Sequence, residues 1–163
     1  MTQDELAGLF RKLGARNPDA WAHSEVQEGI PQLARFLFLR QAWRHIVKED
    51  DPTWIDRRVE RAQSDPDEPY SGVGHTLKKL RSRGATSKEV TDLVRGMQAE
   101  LLFALCYLLE GPAEVEPEVA DVSWALMQID DKGEVLGSID GLHESVLETD
   151  PTGRAMRPRP GVD

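Results

Sequence analysis

Pro18, Pro31 and Pro52 each head a stretch whose apolar residues recur at helical spacing, and Gly14, Gly29, Gly84 and Gly111 each close one. Proline is tolerated in the first helical turn, where its missing N–H costs nothing, and glycine takes up the left-handed residue that ends many helices. Punctuation of this kind leaves room for short helices joined by tight connections. It therefore constrains the fold more than composition does.

The first helix is expected over residues 3–13, from the capping-box pair Thr2 and Glu5 to Gly14, with Leu6, Leu9, Phe10 and Leu13 on one face. Asn17-Pro18 starts a second, ending near Gly29, with Trp21 and Val26 as inward residues. "PQLARFLFLRQAWRHIV" predicts a largely buried third helix with a broad apolar stripe, and Asp51-Pro52 opens a fourth that carries Trp54, Ile55, Val59 and Ala62 and ends before Ser64. Residues 64–74, "SDPDEPYSGVG", lack periodicity and are expected to form a flexible loop. A short helical piece, a turn at Gly84 and a cap at Thr86 or Ser87 then lead into a long helix through Leu109, expected at the centre of the core.

After "GPAEVEPEVAD" the period changes. "VSWALMQI", "DDKG" and "EVLGSI" predict a β-hairpin over about 121–139, followed by a brief helix capped by Asp140 and running through Glu148. "DPTG" fits a type I turn, and residues 151–163 are expected to hold the end of this turn and an Arg- and Pro-rich tail that is extended or disordered. The expected fold is mainly α. It is a single-domain bundle of five or six helices over residues 1–150, packed round Leu33–Val47 and Val90–Leu109, with a small C-terminal hairpin and short helix attached.

Charge is unevenly placed within a net −9. Residues 96–150 hold thirteen carboxylates against Lys132 alone, a local −12, while residues 75–95 sum to +4. The overall sign disfavours nucleic acid and anionic membrane. The longest apolar run, Leu101 to Leu109, is half the length of a bilayer span, and the acidic amphipathic N-terminus does not read as a signal peptide, so a cytoplasmic location without a membrane partner is expected. Cys106 lies inside "LLFALCYLL" and reads as a packing residue.

Several motifs fall short of known chemistries. His143-Glu144 begins like a zinc-protease helix, but the residue four beyond His143 is Leu147 where a second histidine is needed. "DDKGE" lacks the first and last ligands of a calcium loop. No catalytic residues, metal ligands or cofactor are assigned. The favoured function is a non-catalytic protein-interaction module of the inhibitor, adaptor or immunity type, with Glu114, Glu116 and Glu118 on an acidic surface that meets a basic protein partner. A second reading is a small metal- or ligand-binding enzyme centred on 141–154, with His143, Glu144, Asp150, Thr152 and Arg154 as binding residues round the turn. A third is a helix-turn-helix nucleic-acid binder through 75–95, disfavoured by Glu89 and Asp92 where phosphates would lie.

Overall fold

The computed structural model describes residues 1–111 and 117–159. They form α1 (Gln3–Leu13), α2 (Pro18–Glu28), α3 (Gln32–Ala42) with a 3-10 turn at Trp43–His45, α4 (Thr53–Ser64), α5 (Ser71–Ser82) and α6 (Ser87–Leu109). A 3-10 turn (Pro117–Val119), strands β1 (Met127–Ile129) and β2 (Val135–Ser138), and the single-turn α7 (Leu142–Ser145) follow. The protein is thus mainly helical, with a two-stranded antiparallel hairpin and a short helix near its C-terminus. The chain divides into two compact units, one of residues 1–45 with 100 onward and one of Ile46–Ala99.

In the first unit, both halves of the capping box form: Thr2 N–H donates to Glu5 Oε2 at 2.8 Å and Glu5 N–H to Thr2 Oγ1 at 3.3 Å. Gly14 takes φ +90° and closes α1. Leu6, Ala7 and Phe10 of α1, Trp21 and Ala22 of α2, and Phe36 of α3 make one apolar cluster. Its three rings meet edge-on or tilted, at 5.5 to 5.8 Å between centroids. Val26 is exposed, contrary to expectation. It lies roughly 140° round the helix from Trp21, so both cannot face inward, and Ala22 takes the inward place.

The second unit is built on α4, α5 and the first part of α6, round Trp54, Ile55, Leu77 and Val90. Trp54 Nε1–H donates to Thr91 Oγ1 at 3.1 Å, which lets the indole stay buried without an orphan donor. α5 begins at Ser71, so the expected loop 64–74 shrinks to Asp65–Tyr70. Gly74 explains why "SGVG" is helical: a Cβ there would run into the Arg58 carbonyl oxygen and come within 2.5 Å of the Ala62 Cβ, so glycine lets α4 and α5 approach closely. Thr86 caps α6 through a second capping box with Glu89.

The long helix departs furthest from expectation. Val90, Thr91, Arg95 and Ala99 are buried, but from residue 100 to Leu109 the only buried side chain is Cys106. Leu101, Phe103, Leu105, Tyr107 and Leu108 are 43 to 58% exposed, so this half of α6 is not a core centre. Its sequence is apolar on every side, so burying the stripe that carries Cys106 leaves the other sides half in water.

The hairpin pairs Met127 with Ser138, Gln128 with Gly137 and Ile129 with Val135, with an irregularity between Gln128 and Ile129. Asp130 accepts from the N–H groups of Lys132 and Glu134, both at 2.8 Å, and Gly133 takes φ +87°. The carboxylate of "DDKG" therefore holds the turn together. The strands are shorter than the expected 121–139: the ladder covers Met127–Ile129 and Val135–Ser138, with one further bond from Ile139 N–H to the Leu126 carbonyl at 2.8 Å.

Candidate functional site

α7 and the chain that follows it dock onto α1–α3 through a set of hydrogen bonds to backbone. Leu142, Ser145 and Val146 face inward. Trp43 Nε1–H donates to the Val146 carbonyl and to Thr149 Oγ1, both at 3.1 Å. The Arg16 guanidinium donates to the carbonyls of Gly153, at 2.5 Å, of Leu147, at 3.3 Å, and of Glu148. Such carbonyls are left over wherever a single helical turn ends, and a planar guanidinium can serve several at once. Glu148 Oε1 accepts from Trp21 Nε1–H at 3.1 Å and from Asn17 Nδ2–H at 3.2 Å.

The brief helix is shorter than expected and starts differently. Gly141, at φ +68°, precedes it, and Asp140 accepts from Ser138 Oγ at 2.6 Å where a cap was expected. The chain then leaves the helix after Ser145 in a series of turns, short of Glu148.

The five residues of the 141–154 segment take distinct roles. Asp150, 2% exposed, accepts from Thr152 N–H at 3.0 Å, Thr152 Oγ1 at 2.6 Å and Met156 N–H at 3.0 Å. Its carbonyl accepts from Gly153 N–H at 3.0 Å, closing the "DPTG" turn. Thr152 in turn accepts from Arg154 N–H at 3.3 Å, and Arg154 Nε–H donates to the Arg157 carbonyl at 3.2 Å. The turn network holds Ala155 and Met156 at positive φ, a conformation that such residues rarely adopt unaided. Asp150 is therefore an organiser of the loop.

His143 and Glu144 point apart in function. Glu144 is exposed. His143 is partly buried, with Phe103 and Tyr107 edge-on to its ring at 5.8 and 5.1 Å. Its Nδ1 lies 2.9 and 3.0 Å from the two Glu110 oxygens; a carboxylate only accepts, so Nδ1 carries the proton. Burial pushes the Glu110 carboxyl up, but hydrogen bonds from the His143 ring and backbone and from the Gly141 backbone outweigh it and hold the group below its ordinary range. No described hydroxyl or thiol bonds to His143. Burial, with Glu110 nearby, pushes the Cys106 thiol up to about 11, which leaves it protonated and unreactive at neutral pH.

Among the described residues no group of three or more His, Cys, Asp or Glu side chains could hold a metal ion. No described helix is long and apolar enough to cross a membrane. In the basic segment, Arg81 pairs with Asp56 at 2.5 Å, Lys88 with Asp92 at 3.1 Å, and buried Arg95 donates to the Val47 carbonyl at 3.0 Å. Half of its six cations are thus engaged within their own unit. Of the three acidic-surface residues, Glu118 is exposed in the 3-10 turn, and Glu114 and Glu116 lie outside the described residues.

Two cavities flank the docked segment, and Trp21 and Glu148 wall both. The larger, about 330 Å3, has Phe36, Leu13 and Trp21 on its apolar side and Arg16, Arg40 and Arg44 as its cations. The smaller, about 200 Å3, is lined by Ala20, Gln32, Arg35 and Ser145 besides the shared pair. Sequence reasoning missed the residues on α3. A signal was there: Gln32, Arg35, Phe36 and Leu39 fall at the 0, 3, 4, 7 spacing of one helical face, and all four are buried. The polar pair conceals it, since such side chains are ordinarily found outside.

Comparison with known proteins finds no match: no family model, no curated protein and no solved structure corresponds to this chain.

Proposed function

We propose that this protein is a non-catalytic interaction module that takes a basic, amphipathic segment of a partner protein on the apolar half of α6. The observation that carries the reading is the exposure of Leu101, Phe103, Leu105, Tyr107 and Leu108 on one helix of the first unit. Leu101, Leu105 and Leu108 share a strip at the i, i+4, i+7 spacing by which helices meet one another. Trp124, itself half exposed, donates from Nε1 to the Leu108 carbonyl at 2.6 Å, and so ties the approach to the hairpin to the end of this helix. A contiguous apolar face of this kind marks an association surface in a water-soluble chain.

The charge pattern favours a basic occupant. Glu100, Glu118, Asp121, Asp131 and Glu134 are exposed in the same unit, and Lys132 is the sole basic residue in the stretch 96–150. A partner segment with Leu or Phe along one face and Lys or Arg along the other meets both features; a second acidic copy would oppose like charges. Fluorescence anisotropy with a labelled basic amphipathic peptide, a scrambled peptide of equal charge and an acidic counterpart tests this. Binding of the first alone, lost in Leu101→Glu and Leu105→Glu and weakened several-fold when Glu114, Glu116 and Glu118 become Gln, is expected. Equal binding of the scrambled peptide would refute the reading.

One observation favours a second reading, a small anionic ligand beside the 148–151 turn. Arg40 and Arg44, one helical turn apart, make no hydrogen bond or ion pair among the described residues and border the larger cavity. An aromatic carboxylate would place its ring on the apolar wall and its charge on these cations. Saturable thermal stabilisation by such a compound, abolished by Arg40→Gln, is its test; no shift in Tm would remove it.

A further inference from the structure

The hairpin leaves a row of backbone groups unused. Ile139 N–H donates to the Leu126 carbonyl at 2.8 Å, and Asp130 N–H donates to the Glu134 carbonyl at 3.0 Å. Directly opposed residues of an antiparallel pair alternate between bonded and non-bonded. The bond between Leu126 and Ile139 therefore makes Met127 and Ser138 a non-bonded pair, and the bond at Asp130 does the same for Ile129 and Val135. The N–H and carbonyl groups of Met127 and Ile129 accordingly point away from β2. Among the described residues the sheet holds two strands only, and no hydrogen bond reaches any of these four groups.

The two edges of the hairpin differ. β2 has an extra residue, Leu136, between the partners of Gln128 and Ile129, and a bulge of this kind bends a strand and blunts its edge. β1 is regular. Edge strands are commonly guarded by Lys, Pro or another charge, and residues 122–129, "VSWALMQI", contain none. The side chains extend the open surface: Met127, Ile129 and, opposite it, Val135 share one face and are 40, 58 and 62% exposed. Two strands alone are marginal in water, and an unguarded apolar edge is a template for a third.

Charge selects the occupant. Glu118, Asp121, Asp131 and Glu134 are exposed round the hairpin, and Lys132 is the one basic residue of the stretch 117–139. A second copy would bring the same carboxylates to a shared sheet, whereas a cationic chain is drawn to them. We propose that a basic partner protein adds an extended segment to the free edge of β1, its backbone bonding to Met127 and Ile129. Its side chains alternate between apolar residues beside that pair and Lys or Arg. This inference rests on the proposed function for the basic character of the partner alone; the leucine strip of α6 plays no part in it.

The test follows amide-proton exchange in the full ¹⁵N-labelled chain with three octapeptides: one alternating Lys and Val, the same peptide N-methylated throughout, and one alternating Glu and Val. N-methylation removes backbone pairing and keeps charge and apolar character. In the free chain the Met127 and Ile129 amides are expected to exchange freely, and that of Gln128, which faces β2, more slowly. The first peptide is expected to slow Met127 and Ile129 saturably and at least tenfold, the other two less than twofold. Met127→Pro removes one outward donor and leaves the β1–β2 bonds in place, since proline is tolerated where an edge N–H faces solvent. It is expected to weaken the first peptide at least fivefold, while Leu101→Glu, which disrupts helix docking on α6, leaves that affinity unchanged. Should Met127→Pro fail to fold, the three peptides on the unaltered chain decide alone. Equal slowing by the N-methylated peptide, no slowing at millimolar peptide, or Met127 and Ile129 amides already slow in the free chain overturns the proposal. In the last case a dependence on protein concentration would assign the edge to a second copy.

Discussion

The α1–α3 core and the second half of α6 hold similar side chains and meet opposite fates. Phe10, Trp21 and Phe36 are at most 5% exposed, whereas Leu101, Phe103, Leu105, Tyr107 and Leu108 are all above 40%. The difference lies in arrangement. In α1 the apolar residues occupy one stripe with charges opposite, so packing that stripe against α2 and α3 satisfies the whole helix. The run "LLFALCYLL" has no polar side, so an intramolecular contact along Cys106 still leaves most of its surface in water. Apolar content alone thus fails to locate a core; the presence of an opposing polar face does better.

Substitutions that sharpen the contrast differ widely in expected size. Phe10→Ala removes a fully buried ring from a three-ring cluster and is expected to cost about 3–5 kcal/mol in denaturant unfolding. A cost near 1 kcal/mol would mean that the cluster is loosely packed and that the two regions differ less than their exposures imply. Asp150→Ala follows, at about 3 kcal/mol, since it strips three donors of a buried carboxylate partner and frees a loop containing two positive-φ residues. Unfolding by urea measures this as well, and the structural role assigned to Asp150 fails if the variant is as stable as its parent.

Much of the secondary structure was legible in the sequence, whereas the exposure of the second half of α6 was not, and the misreadings have physical causes. Thr2 with Glu5 and Pro18 with Gly29 bounded their helices because capping is local chemistry that needs no knowledge of tertiary contacts. "DDKG" and "DPTG" were legible for the same reason, each a carboxylate satisfying nearby backbone donors. The start of α5 was hidden because the helical state of "SGVG" depends on the close approach of α4 at Gly74, a tertiary fact. The partners of the 141–154 segment were hidden likewise. Arg16 and Trp21 are more than 120 residues away, and nothing in local spacing announces that a guanidinium will serve the carbonyls of a distant turn. Gln32 and Arg35 were concealed by residue type, since polar side chains are expected outside.

Smaller than these effects is the share of acid sensitivity that Glu110 contributes. Its carboxyl is held below the ordinary glutamate value in the folded protein and returns to about 4.3 in the unfolded chain. A group depressed in this way stabilises fully above its unfolded value and loses that contribution as pH falls through its folded value. Glu110→Gln is therefore expected to destabilise at pH 6 and to converge on its parent toward pH 3, as measured by urea titrations across that range. Glu5, Asp51, Glu68 and Glu89 are also held low by hydrogen bonds and keep a falling acid limb in the variant. A gap between the two proteins that widens in acid would contradict the His143–Glu110 pairing.

The smallest expected change in stability comes from the region proposed to bind the partner. Leu101→Ser and Leu105→Ser alter side chains that are about half exposed, so each is expected to shift unfolding by no more than about 0.5 kcal/mol. Such substitutions would at the same time remove the apolar strip a partner helix needs, so binding of the basic peptide should fall at least tenfold while stability holds. The pairing of the two readouts separates the regions cleanly: in the α1–α3 core stability is lost, and on α6 only association is. A large loss of stability in Leu105→Ser, dependent on protein concentration, would instead mean that the strip is already covered by a second copy of the chain, because a subunit interface adds to stability by mass action.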